Sequence, residues 1–505
     1  MMQRSWKHNK SRKIIVVLLS LSLLCVLFGN RQAFVFASGI GEGGEQEESD
    51  SGSAYSPQIS VNEIYVPLVF NPPSFQPAGG TPRVNAPYFP GEINFVETAI
   101  FWFGKITYDE NYTDVRVGYS DSELFVHVAV LDRLLWYDKT PVKDDLTSWD
   151  SASLYLDLDG NAGEAPDTNT FLFVGQLNWF EDRAGFQTAY KGNGSGWINS
   201  PIPFSTETGH RGNPNDANRD NGWRLTYRIP FSSLGLSGPP LQGKVWGLGV
   251  ALHDRDSEQG PPRADKVWPE GMEQGRPASW GELRFGLPAF VTPNPAQAGS
   301  TMIRDDLNGM VSQDGMVGGG TNCGEGLDFY TEWGDANYAG ASQVNVQNQY
   351  DVADFPCFSK YYLALPLSAV PANKVILSAT LTLYQFGNAG GGEWGEPPSS
   401  YIQVMTVGGG WDEDTITWNN APGMLENISG AWVDPVPAGT KWPGVPRVWD
   451  VSRAVAEAYT SGASLNLVLY SADNARHTGK YFVSADTDQY GLDWRPTLEV
   501  IWGDP

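Results

Sequence analysis

The stretch SELFVHVAVLD, Ser122–Asp132, decides the fold class of this chain. Its branched apolar side chains occupy every second position, at Leu124, Val126, Val128 and Val130. Successive side chains of a β-strand point to opposite faces, so this spacing predicts a strand with one face in a hydrophobic core.

The same alternation recurs in SASLYLDLDGN, GWRLTYRIPF and VWGLGVALHD, and turns rich in Gly or Asn separate these stretches. One helix is predicted at Val451–Gly462, where small apolar residues share a face and a glycine follows. The 57 glycines and 35 prolines suit short strands joined by turns. We therefore predict an all-β protein with two tandem, jelly-roll-like β-sandwich domains.

The composition divides the chain into five segments. Residues 1–37 have a basic start, an apolar run of 15 residues and small residues at the end, which is typical of a signal peptide, with an uncleaved membrane anchor as the alternative. Residues 38–81 are acidic and rich in Gly, Ser and Pro, which predicts a disordered linker. Two β-sandwich domains are predicted at residues 82–290 and 301–505, with a proline-bearing hinge at 291–300.

The formal net charge of −25 limits the partners of the protein. Such a charge repels nucleic acid and anionic lipid at long range. We expect an exported protein, secreted or at the cell surface, that binds no nucleic acid and no membrane after signal cleavage. Neutral polymers, cations and a cell-surface assembly partner stay open.

Two cysteines follow the predicted signal peptide, Cys323 and Cys357. An even pair in an exported chain predicts one disulfide. Metal binding by the two cysteines alone is the weaker interpretation, because no histidine pair accompanies them in sequence.

Tryptophans in polar loops are the candidate ligand-binding residues. An aromatic ring stacks on the C–H face of a sugar, while polar side chains bind its hydroxyl groups. Packing beneath a loop is the competing interpretation for each of them. The candidates are Trp136, Trp179, Trp197, Trp268 and, after three glycines, Trp411.

Alternating oxygen-bearing side chains suggest structural calcium. Asp157, Asp159 and Asn161 could supply ligands from one tightly turned loop, although the spacing is not that of an EF-hand. An ordinary Asp-Gly turn is the alternative. Asp412 and Asp414 are a second candidate pair.

The latter pair belongs to GGGWDEDTITWNNAP, residues 408–422. We interpret its acidic residues as a turn and predict that a strand begins at Thr415, with Ile416 and Trp418 on one face. Pro422 would end that strand, since proline cannot continue a central ladder.

Catalytic residues are not predicted. The sequence contains no G-x-S-x-G elbow, no H-E-x-x-H pair and no phosphate-binding glycine loop with lysine. Its many carboxylates single out no pair for glycoside hydrolysis.

Five motifs in order give residues 85–290 a family resemblance: DVRVGYSDSELFVHVAVLD, WDSASLYLDLDGN, GWRLTYRIPFSSLG, WGLGVALHDRD and PASWGELRFG. This region resembles the family 9 carbohydrate-binding modules and their DOMON-like relatives. The resemblance implies a β-sandwich that binds sugars through aromatic residues and often holds structural calcium. Some relatives bind haem, for which His127 is the only strand histidine to consider.

Residues 300–502 carry KYYLALPLSAVPANKVILSATLTLYQF, GWDEDTITWNNAP, VWDVSRAVAEAY, LNLVLYSAD and RPTLEVIW. They resemble the DNRLRE-type β-sandwich domain, which is grouped among carbohydrate-binding modules, although the name-giving DNRLRE sequence is not matched. We expect a non-catalytic protein that binds neutral polysaccharide or cell-wall glycan. The alternatives are an adhesive surface protein without sugar affinity and an accessory part of a glycoside hydrolase or polysaccharide lyase.

Overall fold

The computed structural model of the protein describes residues 80–349, 355–441, 444–488 and 491–505. The predicted signal peptide, and the predicted linker up to residue 79, lie outside the described residues. Within the described ranges strands dominate and a single α-helix occurs, which confirms the predicted all-β class. No helix in this part of the chain has the length and apolar character needed to cross a membrane.

The first half of the described chain forms strands β1 to β14. Their bounds are β1 Arg83–Ala86, β2 Tyr88–Phe89, β3 Ala99–Gly104, β4 Tyr112–Ser120, β5 Glu123–Leu131, β6 Ser151–Asp157, β7 Thr170–Gln176, β8 Gln187–Gly192, β9 Trp197–Asn199, β10 Ser205–Arg211, β11 Gly222–Pro230, β12 Val245–His253, β13 Lys266–Trp268 and β14 Gly281–Phe285.

The second half forms strands β15 to β25 and helix α1. Their bounds are β15 Gln297–Arg304, β16 Gln313–Gly318, β17 Gln343–Val346, β18 Ser359–Leu365, β19 Val375–Asn388, β20 Ser400–Val407, β21 Met424–Val433, β22 Val445–Asp450, α1 Ser452–Ser461, β23 Leu465–Ser471, β24 Lys480–Val483 and β25 Thr497–Gly503. Strand β15 therefore begins inside the segment 291–300 that the composition suggests as a hinge.

The first half is a β-sandwich. One sheet has the order β1-β14-β12-β6-β7-β8-β9, with β13 on β12, and the other has β10-β11-β5-β4-β2, with β3 on β4. The alternating residues of β5 explain the packing, because Leu124, Val126, Val128 and Val130 are all buried in the core. Tyr227 crosses between the sheets and donates its hydroxyl to the carbonyl of Ala152 at 2.5 Å.

The second half is also a β-sandwich. Strands β16-β18-β23-β20-β21 form one sheet, and β15-β25-β19-β24-β17, with β22 on β19, form the other. Helix α1 buries Ala454, Val455 and Ala458. It ends at Ser461, and Gly462 follows with a positive φ of 72°, a conformation that glycine adopts without strain, so the predicted helix is confirmed.

One sheet runs through both sandwiches. Strand β1 pairs in parallel with β14 on one side and with β21 on the other, where Arg83 lies opposite Glu426. Asn85 and Asn427 extend this contact: the backbone N–H of Asn85 donates to Oδ1 of Asn427 at 2.7 Å, and Nδ2 of Asn427 donates to the carbonyl of Asn85 at 2.9 Å. Both side chains are buried, and the described residues form one compact unit.

A buried charged network lies where the two sandwiches meet. Asp114 on β4 accepts hydrogen bonds from Tyr112 at 2.7 Å, from Asn348 at 2.9 Å and from Tyr470 at 3.1 Å. Lys360 on β18 donates to the Tyr112 hydroxyl at 2.6 Å. Burial lowers the pKa of Lys360 well below its ordinary range, and the Asp114 carboxylate opposes that shift.

Cys323 and Cys357 form a disulfide, with their Cα atoms 4.4 Å apart. The bridge links residues separated by 34 positions and ties the segment after β16 to the start of β18.

The strand predicted from Thr415 is wrong, because residues 411–423 form turns. The backbone N–H groups of Thr415 and Ile416 both donate to the carbonyl of Asp412. The N–H of Thr417 donates to the side chain of Asn420 at 2.7 Å, so local acceptors replace a partner strand. Ile416 and Trp418 are both buried, as the apolar pattern indicates.

Candidate carbohydrate-binding cleft

A cleft of about 480 Å³ lies on the outer face of the first sandwich. Strands β6, β7, β8, β9 and β12 line it, together with residues 143–147 and 274–275. Alternation positions its side chains: Leu154 and Leu156 of β6 face the main core, while Ser153 and Tyr155 face the cleft. One face of this sheet therefore packs in the main core, and the other face lines the cleft.

Aromatic rings form one side of the cleft. Half-buried Trp197 lies parallel to buried Trp280, with ring centroids 6.4 Å apart and planes 3° apart. The ring of Tyr155 is 6.0 Å from that of Trp197 and 5.3 Å from that of Trp280. Trp197 is thus a cleft-lining ring on a fixed aromatic base, which is the element that stacking on a sugar requires.

A chain of hydrogen bonds begins at Tyr155 and supplies the polar part of the cleft. Tyr155 donates its hydroxyl to Gln274 at 2.8 Å, and Gln274 donates its amide to Asp265 at 2.6 Å. Nδ1 of His253 lies 2.8 Å from the other oxygen of Asp265, and its Nε2 lies 2.8 Å from the hydroxyl of Ser153. All five side chains line the cleft, so donors and acceptors are fixed beside the rings.

The charge of Asp265 is maintained by this chain. Burial opposes its ionisation, but the hydrogen bonds from His253 and Gln274 outweigh burial and lower the pKa of Asp265. An ionised carboxylate accepts hydrogen bonds from sugar hydroxyl groups strongly. Lys143 and Asp144 lie at the exposed rim, where the Tyr190 hydroxyl donates to the carbonyl of Lys143 at 3.3 Å.

The five predicted tryptophans lie in different environments. Trp197 is the one that lines this cleft. Trp136 is half-buried, and its backbone N–H donates to Asp150 at 2.6 Å. Trp179 is 40% exposed and lies beside Phe180, which is 88% exposed, and His210, with the Trp179 and His210 rings 4.6 Å apart.

The loop position predicted for Trp268 is corrected by the structure. Trp268 belongs to strand β13 and is 4% exposed, with its ring 4.1 Å from that of Phe101. Pairing of β13 with β12 turns the side chain into the core, which leaves no ring face for a ligand. The polar flanks that suggested a loop belong to the segments around this three-residue strand.

Trp411 lines a second groove of about 480 Å³, on the second sandwich. It is half-buried, and its ring lies 6.0 Å from that of Tyr362. The groove is otherwise built mostly from small and aliphatic residues of β18, β20, β21, α1 and β23, and its polar members include Gln313, Thr406 and Asn466. Trp411 is the only aromatic residue among those that line it.

The loop after β6 brings carboxylates together, although not the predicted set. Asp157, Asp159 and Asp167 place one oxygen each within 4.8 Å of the others. Asn161 points its amide nitrogen at the carbonyls of Trp280 and Gly281, both at 3.1 Å. Burial raises the pKa of Asp157, against two backbone N–H donors. The prediction from alternate positions missed Asp167, because the loop folds back and brings this residue close to Asp157 and Asp159.

A second group joins residues distant in sequence. Asp132 follows β5, while Asp254 and Asp256 follow β12, and their oxygens lie within 4.8 Å of one another. Burial raises the pKa of Asp254 to about 7, and Asp256 adds to the shift. The acidic turn HDRDSEQG signals two of these residues in sequence, but the pairing of strands supplies Asp132.

The tyrosines, His253 and Asp265 of the cleft were missed by sequence reasoning. Tyr155 and Tyr190 carried a usable signal, because each occupies the polar-side position of an alternating strand. Asp265 and Gln274 carried none, since they lie in the irregular chain on either side of β13.

Together, the fold and the cleft define a tandem β-sandwich protein with an aromatic and hydrogen-bonding recess. Residues 329–494 match the sequence profile of carbohydrate-binding module family 96, so this segment is similar to a carbohydrate-binding module. The match supports the broad expectation of such a module. No curated protein matches the chain.

Among solved structures, the chain is similar to a family 9 carbohydrate-binding module from Caldicellulosiruptor kristjanssonii in complex with cellotriose, at 21% identity and a TM-score of 0.30, covering 42% of this chain and 100% of that one. The same module with glucose gives 19% identity and 0.30, over the same shares of the two chains. A putative carbohydrate-binding protein from Bacteroides uniformis gives 14% identity and 0.31, covering 41% of this chain and all of that chain.

Proposed function

We propose that the protein binds neutral polysaccharide or cell-wall glycan in the cleft lined by Trp197. The observation that carries the proposal is the pairing of a cleft-lining indole with a fixed row of polar groups at Asp265, Gln274 and His253. An indole face covers the C–H groups of a sugar ring, and the polar row bonds its hydroxyl groups. The rigid base under Trp197 limits the conformational entropy lost on binding.

The charge of the protein supports a neutral ligand. A net charge of −25 repels anionic polymers, so uronic acid polymers bind less well than neutral glycans. The groove at Trp411 serves as an auxiliary site, in the segment similar to family 96 modules. Two weak sites on one polymer chain raise the overall affinity through avidity.

Export and a non-catalytic role complete the proposal. The protein works outside the cell, where polysaccharide is met, and it holds glycan without cleaving it. Calcium at Asp157, Asp159 and Asp167 holds the loop after β6, since a hard cation favours clustered carboxylate oxygens. The proposed role of this ion is structural.

Affinity electrophoresis of the purified protein tests the function. We expect retarded migration in gels that contain at least one of β-glucan, mannan or xylan, and no retardation in alginate. A folded protein that no neutral glycan retards would overturn the proposal. Release of reducing sugar from a retarding glycan would replace binding by catalysis.

An adhesive surface role is the second candidate, and a specific observation favours it. Phe180 is 88% exposed beside half-exposed Trp179, next to the ring of His210. Exposed aromatic clusters are often contact sites for other proteins. Retention by intact cells that is unchanged by excess soluble glycan and lost in Phe180→Ser would favour this role.

A further inference from the structure

Three carboxylates from distant parts of the second half converge at one edge of its sandwich. Asp314 belongs to β16, Glu413 to the turn region 411–423, and Asp486 to the segment after β24. One oxygen of each lies within 4.8 Å of the other two. The cluster runs from the buried side chain of Asp314 outward to the exposed side chain of Asp486.

Asp314 has an oxygen without a donor. Its Oδ2 accepts hydrogen bonds from the Tyr361 hydroxyl at 2.5 Å and from the N–H of Ala485 at 3.0 Å. Its Oδ1 is buried and has no hydrogen-bond partner in the described part of the chain, and the residue is only 3% exposed. A buried carboxylate oxygen without a donor costs free energy unless a cation or a proton binds it.

The neighbouring charges do not relieve this cost. Glu413 Oε2 accepts the backbone N–H of Asp314 at 3.3 Å. Arg495, the nearby base, pairs at 2.8 Å with Asp305 and at 2.7 Å with Asp306 instead.

We propose that Asp314, Glu413 and Asp486 bind a calcium ion. Calcium takes six to eight oxygen ligands in flexible geometry, and a carboxylate cluster open to water on one side suits it better than magnesium, which demands a near-ideal octahedron. The ion would join β16, the turn region 411–423 and the segment after β24. This site goes beyond glycan binding and does not depend on it.

The site revises the sequence interpretation of Asp412 and Asp414. Both side chains are exposed, and Oδ1 of Asp412 accepts the N–H of Asp414 at 2.9 Å within the turn. The local turn therefore sends the middle carboxylate, Glu413, toward the sandwich. Trp411 lies two residues before Glu413, so calcium would also stiffen the groove that Trp411 lines.

Calcium titration of the chelator-treated protein by calorimetry tests the proposal. We expect Glu413→Gln and Asp486→Asn each to weaken one calcium site at least about tenfold, because each removes a charged ligand. Asp414→Asn and Asp488→Asn, whose carboxylates are exposed, are matched controls that leave the titration unchanged. Asp486 is exposed, so its variant tests the site even if Glu413→Gln fails to fold.

Two outcomes would overturn the proposal. One is an unmodified protein that binds no calcium, which would leave a proton shared between Glu413 and Asp486 as the explanation of the cluster. The other is a calcium signal identical in all four variants, which would assign the ion to other carboxylates. An unmodified protein that binds calcium but no glycan would overturn the proposed function and leave the calcium site standing.

Discussion

Replacing Asp114 by alanine is expected to lower the free energy of unfolding by about 3–5 kcal/mol, the range for breaking one partner of a buried charged group. Asp114 is 4% exposed and accepts three side-chain hydrogen bonds. The variant leaves those donors without an acceptor, and it leaves the charge of buried Arg116 without the carboxylate 3.9 Å away. Arginine cannot shed its proton to escape this cost.

The surroundings of Lys360 indicate that the loss of stability will affect both sandwiches. Its ammonium group lies among four aromatic rings, with centroid distances of 3.8 Å to Trp418, 4.0 Å to Trp102, 4.6 Å to Tyr112 and 4.9 Å to Tyr470. These rings come from both sandwiches. Loss of Asp114 should therefore destabilise both halves together, in one unfolding transition.

Urea unfolding followed by tryptophan fluorescence measures the effect. Asp109→Ala is the control, since this exposed carboxylate pairs with Arg263 at the surface and should cost less than about 1 kcal/mol. Adding Lys360→Met to Asp114→Ala should recover part of the loss, because the second substitution removes a buried amine that has lost its neighbouring carboxylate. A loss as small as that of the control, or two separate transitions, would contradict the shared network.

Replacing Trp197 by alanine is expected to weaken glycan binding at least about tenfold, which corresponds to about 1.4 kcal/mol. Tryptophan side chains in desolvated contacts are the commonest large contributors to binding. The variant removes the cleft-lining ring but leaves Trp280 and Tyr155 in place beneath it. Trp197→Phe should lose less, since it keeps a smaller apolar face.

Calorimetric titration with the glycan that retards the protein most gives the affinity. Trp179→Ala is the matched control, because Trp179 is 40% exposed and lies outside the cleft. Thermal unfolding of each variant separates lost binding from lost folding. Equal affinities for Trp197→Ala and the unmodified protein would move the binding site elsewhere.

The strands were predictable because alternation marks the face that packs in the main core. The stretch Ser122–Asp132 corresponds to strand β5, Glu123–Leu131, whose alternate residues belong to that core, although Phe125, His127 and Ala129 on the other face are buried as well. In the turn region 411–423 the same alternation predicted a strand wrongly, because Asp412 and Asn420 accept the backbone N–H groups through local hydrogen bonds. Alternation describes side chains, and it does not say whether a partner strand is present.

Residues of the candidate site were predictable only where a local pattern marks them. Trp197, which begins strand β9, was a candidate because of its polar surroundings, whereas Asp265 and Gln274 reach the cleft through strand pairing. Glu413 and Asp314 are 99 positions apart, and nothing local relates them. Asn85 and Asn427 are 342 positions apart, and no local sequence pattern predicts that they pair.

A binding site at Trp197 is tested most directly by locating bound sugar on the protein. A photoreactive oligosaccharide derived from the retarding glycan would be cross-linked to the purified protein, and labelled peptides identified by mass spectrometry. We predict labels in residues 143–147, 188–199 and 265–275, which border the cleft, and their suppression by excess unmodified oligosaccharide. Labels confined to the Trp179 cluster or to the Trp411 groove, or labels that excess ligand does not suppress, would contradict a binding site at Trp197.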